Sequence, residues 1–217
     1  MAKRMLQSAR DIPQFSVSWD LDADELAAWR TRINAEIGDE GRRVSVTALL
    51  IWLAARALRR HPRMNSRFDE DAAIQPAHIN MSVAMDTPYG LVVPVIRKAE
   101  TLSVEETGLA LKELASRAAA KRLAVADFAD ATFTITNLGM FGVTRFTPLI
   151  NPPQGAIMGV AAPRTTVRTD PEGRLVAGRV IELTVTADHR ILDGAEVARF
   201  LQTLGGSVAE QPGGPTD

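Results

Sequence analysis

No cysteine occurs in the 217 residues, which excludes disulfides, a thiolate nucleophile and zinc–thiolate sites together. Neither sign of charge is in excess: 25 lysines and arginines stand against 26 aspartates and glutamates, a formal net charge of −1. The two signs are intermixed, so there is no electrostatic case for nucleic acid or an anionic membrane as partner. No apolar run approaches the ~18–20 residues needed to span a bilayer. Val44 to Leu58 comes nearest, but Arg56 interrupts it and Arg59 and Arg60 follow. Lys3, Arg4 and Arg10 have no continuous apolar segment behind them, so no signal peptide is expected. A cytoplasmic protein is compatible with these absences. There is also no internal repeat, no G-x-x-x-x-G-K-[ST] phosphate loop and no H-E-x-x-H metal pair.

What is present is a chain 46% hydrophobic, enough for a substantial core in one α/β domain. A short basic helix is expected over 1–10, stopped by Pro13. Phe15 to Leu21 alternates and predicts a strand. Asp22 is a plausible cap for a helix carrying Leu26, Trp29, Arg30 and Ile33 and ended by Gly38. Ser45 or Thr47 opens a helix apolar nearly all round, ended by His61-Pro62, and therefore deeply buried. Strands at 79–85 and 91–96 are joined through Asp86-Thr-Pro-Tyr-Gly90. Ser103 and Glu106 form a capping-box pattern for a helix to about Leu123. Strands follow at 132–136, 156–161 and 180–186, then a helix over 195–204. The glycine- and proline-rich residues 205–217 are expected to be a disordered tail behind a domain spanning 1–204.

Only three histidines are available for proton transfer. His61 follows a helix, where a cation meets the carbonyl end, and reads as structural. His78 opens a strand with no acidic neighbour in sequence. They show no metal-ligand spacing, and no metal is expected. His189 differs, because it sits where a β-branched strand runs out and a helix begins, in Asp188-His-Arg-Ile-Leu-Asp-Gly-Ala195. Such a junction holds a side chain firmly and leaves its tip accessible. Asp193, four residues on, either acts on the ring or pairs with an arginine and fixes the loop.

That phrase resembles the D-H-R-x-x-D-G-A signature of the dihydrolipoamide acyltransferase component of 2-oxoacid dehydrogenase complexes. The shorter H-x-x-x-D-G is shared with chloramphenicol acetyltransferase and its wider superfamily. Ala2-Lys-Arg-Met-Leu-Gln-Ser8, Arg60-His-Pro-Arg-Met-Asn-Ser66, Val83 to Ile96, Thr132 to Gly142 and Asn151-Pro-Pro-Gln154 all occur in the order of the dihydrolipoamide branch. The resemblance implies the chloramphenicol-acetyltransferase-like fold, a mixed sheet with packed helices. It implies exchange of an acyl group between coenzyme A and dihydrolipoamide, the lipoamide being supplied by a separate lipoyl domain. His189 would be the general base, because a thiol of pKa near ~8.5 is only partly ionised at neutral pH. Thr136, at the family's F-T-[IL]-[ST]-N stretch, would donate to the oxyanion. The site would lie between subunits of a homotrimer associated with the other complex components. Arg4 would be the arginine partner of Asp193. Arg30, Ser45, Asp86 and Asn137 would line the coenzyme A path, although Arg30 also reads as a solvated helix residue and Ser45 as a helix cap.

Full-length relatives carry a lipoyl module and linker ahead of this domain, which these 217 residues do not include, and cage-forming relatives end in an apolar anchor where these residues are polar. The expectation is a trimer without a cage. Gln14 stands where many relatives have histidine. Two other functions stay open at this level: a coenzyme A-dependent acyltransferase with a small-molecule acceptor, and a catalytically idle trimeric scaffold. The acyl group itself is not legible in the sequence.

Overall fold

A computed structural model describes residues 2–170 and 172–210. In chain order the elements are α1 (Ala2–Asp11), β1 (Gln14–Asp22), α2 (Ala23–Ile37), α3 (Val46–Arg60), β2 (Arg67–Asp69), β3 (Ala72–Ile74), β4 (Met81–Ala84), β5 (Val95–Ile96), α4 (Val104–Ala119), β6 (Phe133–Asn137), β7 (Ala156–Thr169), β8 (Leu175–Asp188) and α5 (Gly194–Glu210). Six strands form one mixed sheet in the order β1-β8-β7-β6-β4-β5, and β2 and β3 make a separate hairpin. β4, β6 and β7 run parallel to their neighbours in that trio; the other pairings are antiparallel. Among the described residues no helix is long and apolar enough to cross a membrane.

Alternation sorts the strands into two faces. Phe133 and Ile135, Met81 and Val83, Met158 and Val160, and Leu183 and Val185 all join the core with α2, α3 and α5. Within it Trp29 and Trp52 meet edge to face at 5.9 Å, and Phe133 lies 6.0 Å from Phe200. α3 is buried on every side except at Arg56, Arg59 and Arg60 and its first two residues, as its apolar character requires.

The opposite face is polar and paired. Ser16 bonds Thr186 and Ser18 bonds Thr184, each at 2.9 Å between hydroxyl oxygens. Ser82, Thr134 and Gln154 close a buried triangle of hydrogen bonds. The connection before Gln154 covers this face: Ser8 Oγ donates to Ile150 O at 2.6 Å, and the Phe146 ring lies over Gly159. Gln14 gains a role here, donating to Ser8 O and accepting from Ile150 N.

Caps and breakers act where expected. Asp22 accepts from Asp24 N and Glu25 N, Gly38 ends α2 at φ +69°, and Ser103 and Glu106 cap α4 reciprocally. Three features differ from the sequence reading. β7 and β8 are fourteen residues each, because their outer halves are stitched by Arg164 to Asp20, Arg168 to Asp22 and Arg179 to Asp24. The β2–β3 hairpin has no counterpart in the sequence reading. α5 does not stop at Leu204 but continues through Glu210, with Val208 buried. Gly205 belongs inside it, since a Cβ there would come within 3.1 Å of Trp19 Nε1. The domain therefore reaches at least Glu210, and the rest of the expected tail, 211–217, lies outside the described residues.

Candidate active site

β8 delivers His189 just past its last paired residue. Asp188 N donates to Gly155 O at 2.9 Å and His189 N donates to Pro13 O at 2.9 Å, so backbone on both sides fixes the turn. The ring is exposed, stands 4.6 Å from the Phe15 ring, and takes no hydrogen bond from a described residue. It is therefore oriented yet open to a substrate. Phe15 was not singled out from sequence, although the β1–β8 register places it opposite Ala187.

Asp193 does something other than expected. Its carboxylate accepts from Glu196 N at 2.8 Å, and Glu196 Oε2 accepts from Asp193 N at 3.0 Å, a reciprocal cap on α5. Arg4 donates instead to Pro152 O at 2.7 Å. Neither the imidazole nor Arg4 bonds Asp193 among the described residues. The carboxylate beneath the turn belongs to Asp188, whose buried side chain takes a forked pair of bonds from Arg190. Those bonds hold the Arg190 guanidinium in its charged form, against a smaller opposing effect of burial.

Thr136 sits near the other end of the sheet. It shares a face with Thr134, and its register partner Gly159 carries the Phe146 ring beside it. Its half-buried hydroxyl has no described hydrogen-bond partner. Gly159 pairs in turn with Thr184, and His189 lies five residues beyond Thr184 toward the start of β6. The two groups are thus about 17 Å apart along the strands and about 10 Å across them. One chain does not bring its own His189 and Thr136 together.

The four residues expected near coenzyme A divide into two groups. Arg30 and Ser45 line one open cleft of about 620 Å³, together with Arg43 and Lys112, which sequence reasoning passed over. Arg30 Nε is buried there without a partner among the described residues, while Ser45 caps α3 through Ala48 N. Asn137 turns toward the helix side, donating to Thr47 Oγ1 at 3.0 Å in the first turn of α3, two residues from Ser45. Asp86 is exposed two residues past Ala84, the partner of Thr136, at the same end of the sheet.

The other histidines are engaged. His61 Nε2 lies 2.8 Å from Thr203 Oγ1; burial, with Arg60 and Arg199 nearby, pushes its pKa down. His78, which has no acidic neighbour in sequence, has one in space: Glu100 Oε1 is 3.0 Å from its Nδ1. No group of described His, Asp or Glu residues is arranged to hold a metal.

The profile of the family described as 2-oxoacid dehydrogenases acyltransferase (catalytic domain) matches residues 1–213. The chain belongs to that family. It is 36% identical over 204 residues to the dihydrolipoyllysine-residue acetyltransferase component of the pyruvate dehydrogenase complex of Rickettsia felis, covering 93% of this chain and 49% of that protein. The chain thus spans about half the length of the curated relatives it matches. A probable dihydrolipoamide acetyltransferase from Listeria monocytogenes superposes with a TM-score of 0.92 at 31% identity, covering 100% of this acyltransferase-family chain and 92% of that one. The dihydrolipoamide acetyltransferase of Azotobacter vinelandii, whose mechanism was probed at a serine, a histidine and an asparagine, gives 0.89 at 32% identity, with 96% and 86% covered. Chloramphenicol acetyltransferase, at 16% identity and a TM-score of 0.60, shares the fold, as expected.

Proposed function

We propose that this acyltransferase-family chain moves an acyl group between coenzyme A and the thiol of a dihydrolipoamide carried by a separate lipoyl domain, at a site formed between copies in a homotrimer. The observation that carries the reading is the separation of His189 from Thr136 at opposite ends of one sheet. In this reading a second copy supplies the missing half.

In the forward step the His189 imidazole takes the proton of the attacking thiol. The thiolate sulfur bonds to the thioester carbonyl carbon, and the charge passes to the oxygen. The partner's hydroxyl at position 136 would donate to that oxyanion, a contribution commonly worth ~3–4 kcal/mol. The carbon–sulfur bond to the departing thiol then breaks, and the imidazolium returns its proton to that sulfur. A buried Arg30 Nε with no described partner, beside Ser45, Arg43 and Lys112, suits a phosphate of coenzyme A, because a planar guanidinium stays charged. Asn137 and Asp86, at the end of the sheet that carries Thr136, would lie along the pantetheine arm. Association with the other complex components and a cytoplasmic setting belong to the same proposal.

The test is complementation. His189→Ala and Thr136→Val chains, each inactive alone, are co-expressed and assayed for acetyl transfer from acetyl-CoA to dihydrolipoamide. Random mixing leaves roughly one site in four with both groups in a cyclic trimer. Activity near that fraction supports a shared site; no recovery in verified mixed trimers overturns it.

A further inference from the structure

The turn that carries His189 is held from below by one short segment, residues 63–68, which the proposed chemistry leaves unused. Three contacts connect them. Arg63 Nη2 donates to Ile191 O, and its Nη1 pairs with Glu196 Oε1 at 2.9 Å. Ser66 O accepts from Gly155 N at 3.0 Å, and Gly155 O accepts from Asp188 N at 2.9 Å. That approach admits only glycine, since a Cβ on Gly155 would lie 2.4 Å from Ser66 O and 2.7 Å from Ile191 Cδ1. The third contact is a stack: Arg190 Cζ stands 4.3 Å from the centre of the Phe68 ring at the start of the β2–β3 hairpin.

Arg190 stands between that ring and the turn. Its Nε is 3.0 Å from Asp188 Oδ1, its Nη2 is 2.7 Å from Oδ2, and its backbone N donates to Oδ1 at 3.0 Å. The Asp188 side chain is 2% exposed, while that of Arg190 is 34% exposed. A buried carboxylate with a single cationic partner depends on that partner's geometry. A planar guanidinium satisfies fork and stack together; an ammonium does not. Ile191 N and Leu192 N both donate to Asp188 O, so any rotation of Asp188 is passed to the turn on which His189 sits.

We propose that Arg190 and Phe68 are positioning residues for His189: the Phe68 ring holds the guanidinium flat, the guanidinium holds Asp188, and Asp188 sets the direction of the imidazole. This rests on His189 being the base of the proposed acyl transfer. It also gives the β2–β3 hairpin a function, as a clamp outside the site.

The experiment compares Arg190→Met, Arg190→Lys, Phe68→Ala and the Arg190→Met/Phe68→Ala double variant, assayed on acetyl-CoA and dihydrolipoamide, with thermal unfolding in parallel. Arg190→Met is expected to lower kcat by about tenfold or more, since small misplacements of a reacting group are costly. Its KM for acetyl-CoA should stay within about twofold, because the Arg30 cleft is remote from the turn. Arg190→Lys should not restore the wild-type rate. Phe68→Ala should lower kcat less than Arg190→Met, and the double variant should be no slower than Arg190→Met alone. Should Arg190→Met not fold, the Asp188→Asn/Arg190→Met pair, which buries no lone charge, replaces it. Unchanged kcat in Arg190→Met, full activity in Arg190→Lys, or additive losses in the double variant each overturn the proposal. His189→Ala is the control that separates the two readings: if it stays fully active, the base assignment itself fails. If it is inactive while Arg190→Met is not, only the clamp fails.

Discussion

Thr134 and Thr136 sit two residues apart on one face of β6, yet the Thr134 hydroxyl is bonded within the chain and that of Thr136 bonds no described residue. That contrast makes Thr136→Val the sharpest perturbation available. The Thr136 hydroxyl bonds nothing among the described residues, so replacing it with a methyl of similar shape leaves no group unsatisfied and should cost under about 1 kcal/mol of stability. If it donates to the oxyanion, kcat falls by about 10²–10³, equivalent to ~2.7–4 kcal/mol, with little change in KM. Thr134→Val is the reverse case. It removes a member of the buried triangle with Ser82 and Gln154, orphaning the Gln154 carbonyl oxygen at about 1–3 kcal/mol, and leaves the chemistry alone. The assay pairs steady-state acetyl transfer with urea unfolding on both variants, trimer content being checked by size-exclusion chromatography. A Thr136→Val enzyme within about threefold of wild-type kcat would refute the oxyanion role. So would a loss of stability matching that of Thr134→Val.

Two other outcomes follow from the same packing. Gly159→Ala brings a Cβ to 2.8 Å from Phe146 Cζ, so the ring must move; overpacking of this kind costs about 1–3 kcal/mol, and a second change, Phe146→Leu, should recover most of it by unfolding assay. Burial, with the Arg60 and Arg199 cations nearby, holds the His61 pKa below the usual imidazole range, so the unfolded chain binds the proton more tightly than the folded one. The His61 contribution to stability is therefore fully present above about pH 6.5 and is lost as pH falls from there through the folded-state pKa. His61→Gln should flatten that part of a plot of unfolding midpoint against pH, and an unchanged slope would show that other groups carry it.

Local signals carried most of the fold. Asp22 and Gly38 bracket α2, Ser103 and Glu106 start α4, and the unbroken apolar surface of α3 announces its burial, because each depends on residues a few positions apart. What escaped notice depends on distant partners. His78 meets Glu100 across 22 positions, and the long β7–β8 hairpin relies on acids in β1 and α2. The acids beside His189 are instructive. Asp193 has the familiar spacing and turns out to cap a helix, a role its own Asp-x-x-Glu pattern with Glu196 already advertised. Asp188 became the arginine partner because strand pairing buries it, and burial of one carboxylate among several is a property of the folded chain. The Arg30–Ser45 cleft was half legible: both residues were singled out, but Arg43 and Lys112 reach it only through the packing of α2, α3 and α4.

The placement of His189 and Thr136 at opposite ends of the sheet has a consequence for inheritance and dosage. In the proposed ring of three, each chain would serve two different sites, lending an imidazole to one and a hydroxyl to the other. A subunit damaged at one end would then silence a single site, whereas one damaged at both would silence two of the three. Alleles with defects at different ends would compensate each other in a mixed population, and a doubly defective allele would poison its wild-type companions.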